Sequence, residues 1–259
     1  MSNTESTQSD LSRESGSLAK KSSEPLAIDV WSDIACPWCF VGKRQLEEAL
    51  DSFPHPVKLT WHSFELDPSA PKRFSEGPSY VERLARKYRI PTKQGQDMID
   101  AMTARGTPLG IVFRFDVVQG CNTFDAHRLL HLSEQHGVQD ACKEALLLAY
   151  MTEGRLISDH STLLEVADRV GLDPDAVSSM LASSDFSDAV REDEAKAAEL
   201  GINGVPFFVI ANKYGVSGAQ PAEVLQQILQ KAYAETARSP LVQLDSVGEQ
   251  CGDNGCAIE

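Results

Sequence analysis

The stretch VWSDIACPWCF, residues 30–40, joins a short apolar run to a helix-like run through two cysteines separated by two residues. The apolar run at residues 26–31 predicts a strand, and residues 42–50 repeat apolar side chains at helical spacing. Pro37 suits the first position of a helix, where its missing N–H removes no hydrogen bond. The two sulfurs are therefore predicted to lie at a strand-to-helix junction.

A sulfur at the start of a helix faces unpaired backbone N–H groups and the positive end of the helix dipole, and both stabilise a thiolate. We therefore expect Cys36 to ionise more easily than a free cysteine. Cys39 follows about one helical turn later, within disulfide distance and on the less exposed side. Two cysteines placed in this way can attack a disulfide and resolve the mixed disulfide, which is thiol–disulfide exchange.

Two other interpretations of this pair are weighed against a redox role. A structural disulfide across so short a loop removes little conformational entropy from the unfolded chain. Zinc sites use the same spacing together with two further ligands, but seldom inside a strand-to-helix turn. The pattern therefore favours a redox pair, and no cofactor or resident metal is expected.

The composition indicates an acidic protein that does not depend on disulfides for stability. Its 259 residues include 38 acidic and 24 basic side chains, for a formal charge of -14. This charge argues against nucleic acid or an anionic membrane surface as a partner. Residues 1–25 are polar and lack the apolar core of a secretory signal, so we expect a disordered leader and a cytoplasmic protein.

The order of the predicted elements is that of a thioredoxin-type domain interrupted by helices. Residues 57–64 alternate as a strand, so the first part of the chain is predicted to be β-α-β with parallel pairing. A helix from residue 186 is followed by two short strands and a last helix. We predict an α/β fold in which residues 26–65 and 186–238 form a thioredoxin-like domain. Residues 66–185, with six segments of helical periodicity, form an all-helical insertion.

Three motifs give the chain a resemblance to the DsbA family of thioredoxin-fold oxidoreductases. They are DIACPWC at residues 33–39, NTFDAHRL at residues 122–129 and GVPFF at residues 204–208. Within that family the chain resembles the FrnE-type branch, which also takes in the 2-hydroxychromene-2-carboxylate isomerases. The resemblance implies a protein disulfide oxidoreductase or isomerase, and the expected cytoplasmic location favours action under oxidative stress.

The resemblance also implies the residues of the site, with Cys36 and Cys39 as the catalytic pair. Pro206 is expected to be a cis proline beside the dithiol, and the backbone of Val205 to pair with an extended substrate segment. Pro37 and Trp38 are expected to contact the substrate, with Trp38 tuning the exposure of the attacking sulfur. His127 is expected to face the substrate, and a packed structural histidine is the alternative.

Four cysteines lie outside the CPWC motif. Cys251 and Cys256 belong to a tail formed by residues 239–259, and the glycines between them allow a turn that brings the sulfurs together. The resemblance to FrnE-type proteins with such tails implies a second catalytic redox pair. A metal-binding tail and a tail without function are the alternatives. Cys121 and Cys142 stand singly in helical surroundings and are expected to be small buried apolar residues.

The expected partners are protein substrates with disulfides or thiols, with glutathione or a thioredoxin-type protein as the reductant. The direction of exchange is left open, although a cytoplasmic location favours reduction or isomerisation. One alternative is a glutathione-dependent isomerase or transferase, for which we expect a serine or a broken pair in place of the CxxC. The other alternative is a thiol-based metal-binding protein.

Overall fold

A four-stranded mixed sheet forms the centre of the thioredoxin-like part. The computed structural model describes residues 24–74 and 79–236. The strands are β1 (Leu26–Ser32), β2 (Val57–Ser63), β3 (Phe207–Ile210) and β4 (Tyr214–Ser217). Their order in the sheet is β2-β1-β3-β4. The predicted parallel pairing of β1 with β2 is confirmed, with Val30 opposite Trp61, and β3 runs antiparallel to both of its neighbours.

The helices of the described residues follow the predicted order. They are α1 (Pro37–Asp51), α2 (Tyr80–Tyr88), α3 (Thr92–Gly106), α4 (Phe124–Gln135), α5 (Gln139–Met151), α6 (His160–Arg169), α7 (Pro174–Ala182), α8 (Ser187–Glu199) and α9 (Ala222–Thr236). Helices α2 to α7 form the helical block between β2 and α8. The predicted fold class, a thioredoxin-like domain with a large helical insertion, is confirmed.

Helices cover both faces of the sheet because the strands carry apolar side chains on both faces. Leu26, Ile28 and Val30 alternate along β1 and pack in one buried cluster with side chains of α1 and α9. Trp31 points to the opposite face, where it packs with Ala197 of α8. The sheet is therefore held between the pair α1 and α9 on one side and α8 on the other.

The helical block shares its core with the start of α1. Its buried cluster includes Ile34, Phe40 and Val41 from the segment around the two cysteines, together with apolar side chains of helices α3 to α7. The helical block therefore packs directly against the predicted redox segment. The domain limits at residues 65/66 and 185/186 stay a prediction.

A hydrogen-bonded network fastens α8 to β1 and β2. His62 on β2 has Nδ1 at 2.6 Å from Asp193 Oδ1 and Nε2 at 2.9 Å from Asp29 Oδ1. The imidazole stacks on the Trp31 ring with the centroids 4.4 Å apart. This network fixes the position of α8 against the edge of the sheet.

One predicted region lies wholly outside the described residues, and a second lies almost wholly outside them. The tail at 239–259, with its two cysteines, and nearly all of the predicted leader at 1–25 fall there. Among the described helices, none has the length and apolar character that crossing a membrane requires.

Candidate active site

Cys36 and Cys39 lie where β1 gives way to α1, as predicted. Cys36 is the N-cap residue of α1, Pro37 occupies the first turn, and Cys39 follows inside the helix. Both thiols are free, and Cys36 is 5% exposed while Cys39 is fully buried. The expectation that Cys39 is the less exposed of the two is confirmed.

The loop before β3 lies against the first cysteine. The peptide bond between Val205 and Pro206 is cis, which confirms the prediction for Pro206. The Cys36 thiol donates to the Val205 carbonyl oxygen across 3.6 Å. Pro206 packs on α1 at Gly42, where a Cβ atom would meet the proline Cγ at 2.8 Å. Gly42 therefore allows the helix and the proline loop to approach closely.

The ionisation of the two thiols differs from the expectation that Cys36 ionises easily. The hydrogen bond with Cys39, together with burial, raises the pKa of Cys36 well above its ordinary value. Burial opposes ionisation of Cys39, but the hydrogen bond from Cys36 and the charge of Lys143 outweigh it and lower the pKa of Cys39. The expectation is wrong because the Cys36 side chain accepts no capping hydrogen bond from α1 and lies beside a carbonyl acceptor instead. The first proton is therefore lost at Cys39.

The surface around the dithiol carries a large exposed aromatic ring. Trp38 is 44% exposed, and the Arg105 guanidinium group of α3 lies 5.8 Å from its ring centroid. Pro37 and Val205 are half-buried, whereas Pro206 is buried. Trp38, Pro37 and Val205 are therefore the members of the predicted substrate-binding set that are open to solvent.

His127 is placed differently from the prediction. Its side chain is fully buried in α4, and Nε2 lies 3.4 Å from Asp33 Oδ1. Neither ring nitrogen makes a hydrogen bond with another described group. The prediction that His127 contacts substrate is corrected, because a fully buried ring lies beneath the redox segment instead of on its surface.

Asp33 and Lys143 are two further charged residues beneath the dithiol that the sequence reasoning did not assign to the site. The Asp33 carboxylate accepts hydrogen bonds from the backbone N–H groups of Ala35, at 3.2 Å, and Leu66, at 2.8 Å. Burial opposes ionisation of Asp33, but His127 and these N–H groups lower its pKa. The carboxylate therefore stays charged in the buried layer.

Lys143 of α5 is fully buried, and its ammonium group donates to the backbone oxygen of Ser32 at 3.4 Å. The sequence contains a pattern that could have pointed to the burial of Lys143. Lys143 falls on the same helical face as Leu146, Leu147 and Tyr150, which are buried apolar residues. A lysine on such a face is unusual, because lysine is almost never fully buried without a partner.

The two single cysteines behave as predicted. Cys121 and Cys142 are both buried, and burial raises the pKa of Cys142 to about 12. Burial also raises the pKa of Cys121. Cys251 and Cys256 lie outside the described residues, so their predicted role stays a prediction.

A comparison with known families assigns the chain as a whole. A family model described as the DSBA-like thioredoxin domain matches residues 27–230. The chain belongs to this DSBA-like thioredoxin family. Membership identifies it as a DsbA-like thiol oxidoreductase at the level of the family.

Individual relatives cover most of the chain. A crystal structure of a probable DsbA oxidoreductase from Streptomyces coelicolor is 41% identical, with a TM-score of 0.78, and the match covers 90% of this chain and 99% of that one. The uncharacterized protein YwbO from Bacillus subtilis is 28% identical over 204 residues, which is 78% of this chain and 94% of the relative. The cytosolic disulfide reductase DsbM from Pseudomonas aeruginosa, solved with GSH, is 17% identical, with a TM-score of 0.54 over 82% of this chain and 98% of that one, and shows a shared fold.

Proposed function

We propose that this DSBA-like protein reduces or isomerises disulfides of protein substrates through Cys36 and Cys39. The observation that carries the proposal is the pair of free thiols at the start of α1, in which Cys36 is the less buried, at 5% exposed, and lies 3.6 Å from the Val205 carbonyl oxygen. A nucleophilic sulfur needs access to its substrate, and the resolving sulfur needs to be near it and shielded from water.

The first step is attack by Cys36 on a substrate disulfide. The Cys39 thiolate takes the proton of the Cys36 thiol through the hydrogen bond between the two groups. The Cys36 thiolate then attacks one sulfur of the substrate disulfide. A bond forms between Cys36 and that sulfur, and the other substrate sulfur leaves as a thiolate that takes up a proton from solvent.

The second step resolves the mixed disulfide. Cys39 gives the proton that it took from Cys36 to solvent, and its thiolate attacks the sulfur of Cys36. The bond between Cys36 and the substrate breaks, and the second substrate sulfur leaves with the electron pair and takes up a proton from solvent. The products are a Cys36–Cys39 disulfide and two substrate thiols, and the same steps in reverse oxidise a substrate. A substrate is isomerised when another of its own thiolates, instead of Cys39, attacks the mixed disulfide and releases Cys36.

The substrate backbone is proposed to lie along Val205 and Pro206. An extended peptide segment gains affinity by backbone hydrogen bonds to an exposed strand-like segment. Trp38 and Pro37 would contact side chains on either side of the substrate sulfur. An exposed aromatic ring next to the nucleophile supplies apolar contact area at low conformational cost.

The proposal extends to a second redox pair, Cys251 and Cys256, that exchanges electrons with the CPWC pair. It also includes a cytoplasmic location, membership of the FrnE-type branch and recycling by glutathione or a thioredoxin-type reductant. DsbM, which shares the fold, is described as cytosolic and was solved with GSH.

The test compares insulin reduction and reactivation of scrambled ribonuclease by the wild type and by single variants. Measured in a Cys251→Ser/Cys256→Ser background, Cys36→Ser should abolish both activities, because the attacking thiol of the CPWC pair is gone and the proposed second pair is absent. Cys121→Ala, a matched control at a buried cysteine outside the dithiol, should retain both. The activity that a Cys251→Ser/Cys256→Ser double variant retains shows how much of each reaction the CPWC pair performs without the second pair. An inactive wild type, or activity of Cys36→Ser in the background without Cys251 and Cys256, would contradict the proposal. Turnover of a small glutathione-dependent substrate alone would favour the isomerase alternative.

A further inference from the structure

We propose that Lys143 is a positioning residue of the redox centre, whose ammonium group holds negative charge on the buried sulfur of Cys39 and thereby favours the reduced dithiol. The inference deepens the proposed function and rests on it. Lys143 comes from α5 of the helical insertion, and Cys39 comes from α1 of the thioredoxin-like part. The insertion would thus supply a charge that the thioredoxin-like part does not contain at this place.

The burial of Lys143 demands a counter-charge. Its side chain is fully buried, and a buried ammonium group without a counter-charge is strongly unfavourable. In the part of the chain that the structure describes, no carboxylate lies within ion-pair distance of the Lys143 nitrogen. Its direct contacts there are the weak hydrogen bond to Ser32 and a cation–π contact with Trp61 at 5.5 Å. Neither contact carries a negative charge.

A second buried lysine shows how such a residue is ordinarily compensated. Lys43 of α1 is 2% exposed and lies within ion-pair distance of Glu47, Asp140 and Glu144. Three carboxylates thus lie close enough to compensate the single positive charge of Lys43. The contrast with Lys143 implies that the counter-charge of Lys143 has a different source.

Two anions lie near enough to Lys143 to act on it, the Asp33 carboxylate and the dithiol. The Asp33 carboxylate already accepts two backbone hydrogen bonds and lies beside the His127 ring. The Lys143 ammonium group binds the carbonyl of Ser32, the last residue of β1, from which the redox segment starts. Burial lowers the pKa of Lys143 overall, and Cys39 is the neighbour that most strongly opposes this effect. The thiolate of Cys39 is therefore the principal counter-charge of Lys143.

This pairing depends on the redox state. In the reduced protein the ammonium group faces a thiolate, whereas the Cys36–Cys39 disulfide carries no charge. Oxidation therefore leaves Lys143 with a weaker set of counter-charges, and the reduced form is favoured relative to a site without the lysine. In the resolving step the same ammonium group stabilises the Cys39 thiolate that attacks Cys36.

The test uses the full chain with Cys251→Ser and Cys256→Ser as the background, so that the CPWC pair is observed alone. Lys143→Met keeps the length of the side chain and removes the charge. Lys143→Gln is a second variant that retains a donor for the Ser32 carbonyl. Lys43→Met is the matched control, because it removes a buried lysine that pairs with carboxylates.

Three quantities are measured. The equilibrium with glutathione should shift at least tenfold toward the disulfide in both Lys143 variants, which corresponds to about 30 mV or more for a two-electron couple. The thiolate absorbance at 240 nm should appear at higher pH than in the background protein. The melting temperature should rise in the oxidised form relative to the reduced form, since the disulfide form no longer contains an uncompensated ammonium group. Lys43→Met should lower the melting temperature of both forms alike and leave the glutathione equilibrium unchanged.

The outcomes separate this inference from the proposed function. If the background protein exchanges with glutathione disulfide, but both Lys143 variants shift its equilibrium by less than tenfold and leave the difference in melting temperature between the two redox forms unchanged, the role of Lys143 is overturned while the dithiol stands. If the background protein itself forms no Cys36–Cys39 disulfide, the proposed function fails, and the role of Lys143 falls with it.

Discussion

The sulfur of Cys36 lies 3.6 Å from the carbonyl oxygen of Val205, although the two residues are 169 positions apart in the sequence. The contact joins the start of α1 to the cis-proline loop, and Gly42 lies directly behind it against Pro206. The distance between the nucleophile and the proposed substrate-binding backbone thus depends on how closely α1 and this loop pack.

Replacing Gly42 should disturb that packing. In Gly42→Ala the added methyl group would meet the Pro206 ring at 2.8 Å and the Phe208 ring at 3.3 Å. Overpacking of this kind costs about 1–3 kcal/mol of unfolding free energy. We also expect slower disulfide reduction, because the loop moves away from Cys36. Gly204→Ala is the control, since an added Cβ there meets nothing within 4 Å. Equal stability of the two variants by denaturant unfolding would contradict the prediction.

Trp38 should matter for protein substrates and little for small ones. Trp38→Ala removes an exposed ring beside the dithiol, so KM for insulin should rise roughly tenfold, as expected for the loss of one aromatic contact. Turnover of a small aromatic disulfide should change little. Tyr88→Ala, which removes a 53% exposed ring of α2, is the matched control and should leave both reactions unchanged. An equal loss for both substrates would argue against a substrate-contacting role of Trp38.

The His62 network predicts a pH dependence of stability. Burial disfavours the imidazolium, but Asp193 and Asp29 outweigh it and raise the pKa of His62 from 6.5 to about 9. The folded state therefore binds the proton more tightly than the unfolded chain. This contribution, at most about 3 kcal/mol, is fully present below pH 6.5 and is lost as the pH rises through about 9.

The measurement is the free energy of unfolding of the wild type and of His62→Gln between pH 6 and 10. Both proteins are kept oxidised, so that Cys36 and Cys39 do not titrate, and the remaining cysteines contribute equally to both. Besides Asp29 and Asp193, His131 is the titratable side chain in contact with this cluster among the described residues, through Asp193. The stability difference between the two proteins should shrink as the pH rises. A difference that is constant with pH would contradict the assignment.

Arg128 should be important for folding and unimportant for thiol chemistry. Its guanidinium group donates to the backbone oxygens of Met180, Ser183 and Asp185, which follow one another at the end of α7 and beyond it. Arg128→Met would remove this donor from the Ser183 and Asp185 carbonyl groups and the ion-pair partner from the half-buried Asp125, and should cost about 3 kcal/mol. The glutathione equilibrium should stay as in the wild type. Arg114→Met, at an exposed pair with Asp116, is the control and should change the melting temperature little.

Features that depend on neighbouring residues could be predicted from the sequence. The strand-to-helix junction at Cys36 and the six helices α2 to α7 follow from local spacing of apolar residues. The cis bond before Pro206 followed from a motif resemblance, and the structure contains it.

The environment of the sulfurs was decided by tertiary structure. Two contacts of the dithiol join residues that lie about one hundred or more positions apart in the sequence, Cys36 with the Val205 carbonyl and Cys39 with Lys143. The burial of His127 likewise depends on how the helices pack and not on its neighbours in the sequence. The sequence alone therefore determined where the two thiols lie along the chain and that they adjoin a helix start. Which thiol ionises first was decided by burial and by distant charges, because electrostatic interactions act through space and their strength depends on the surrounding solvent exposure.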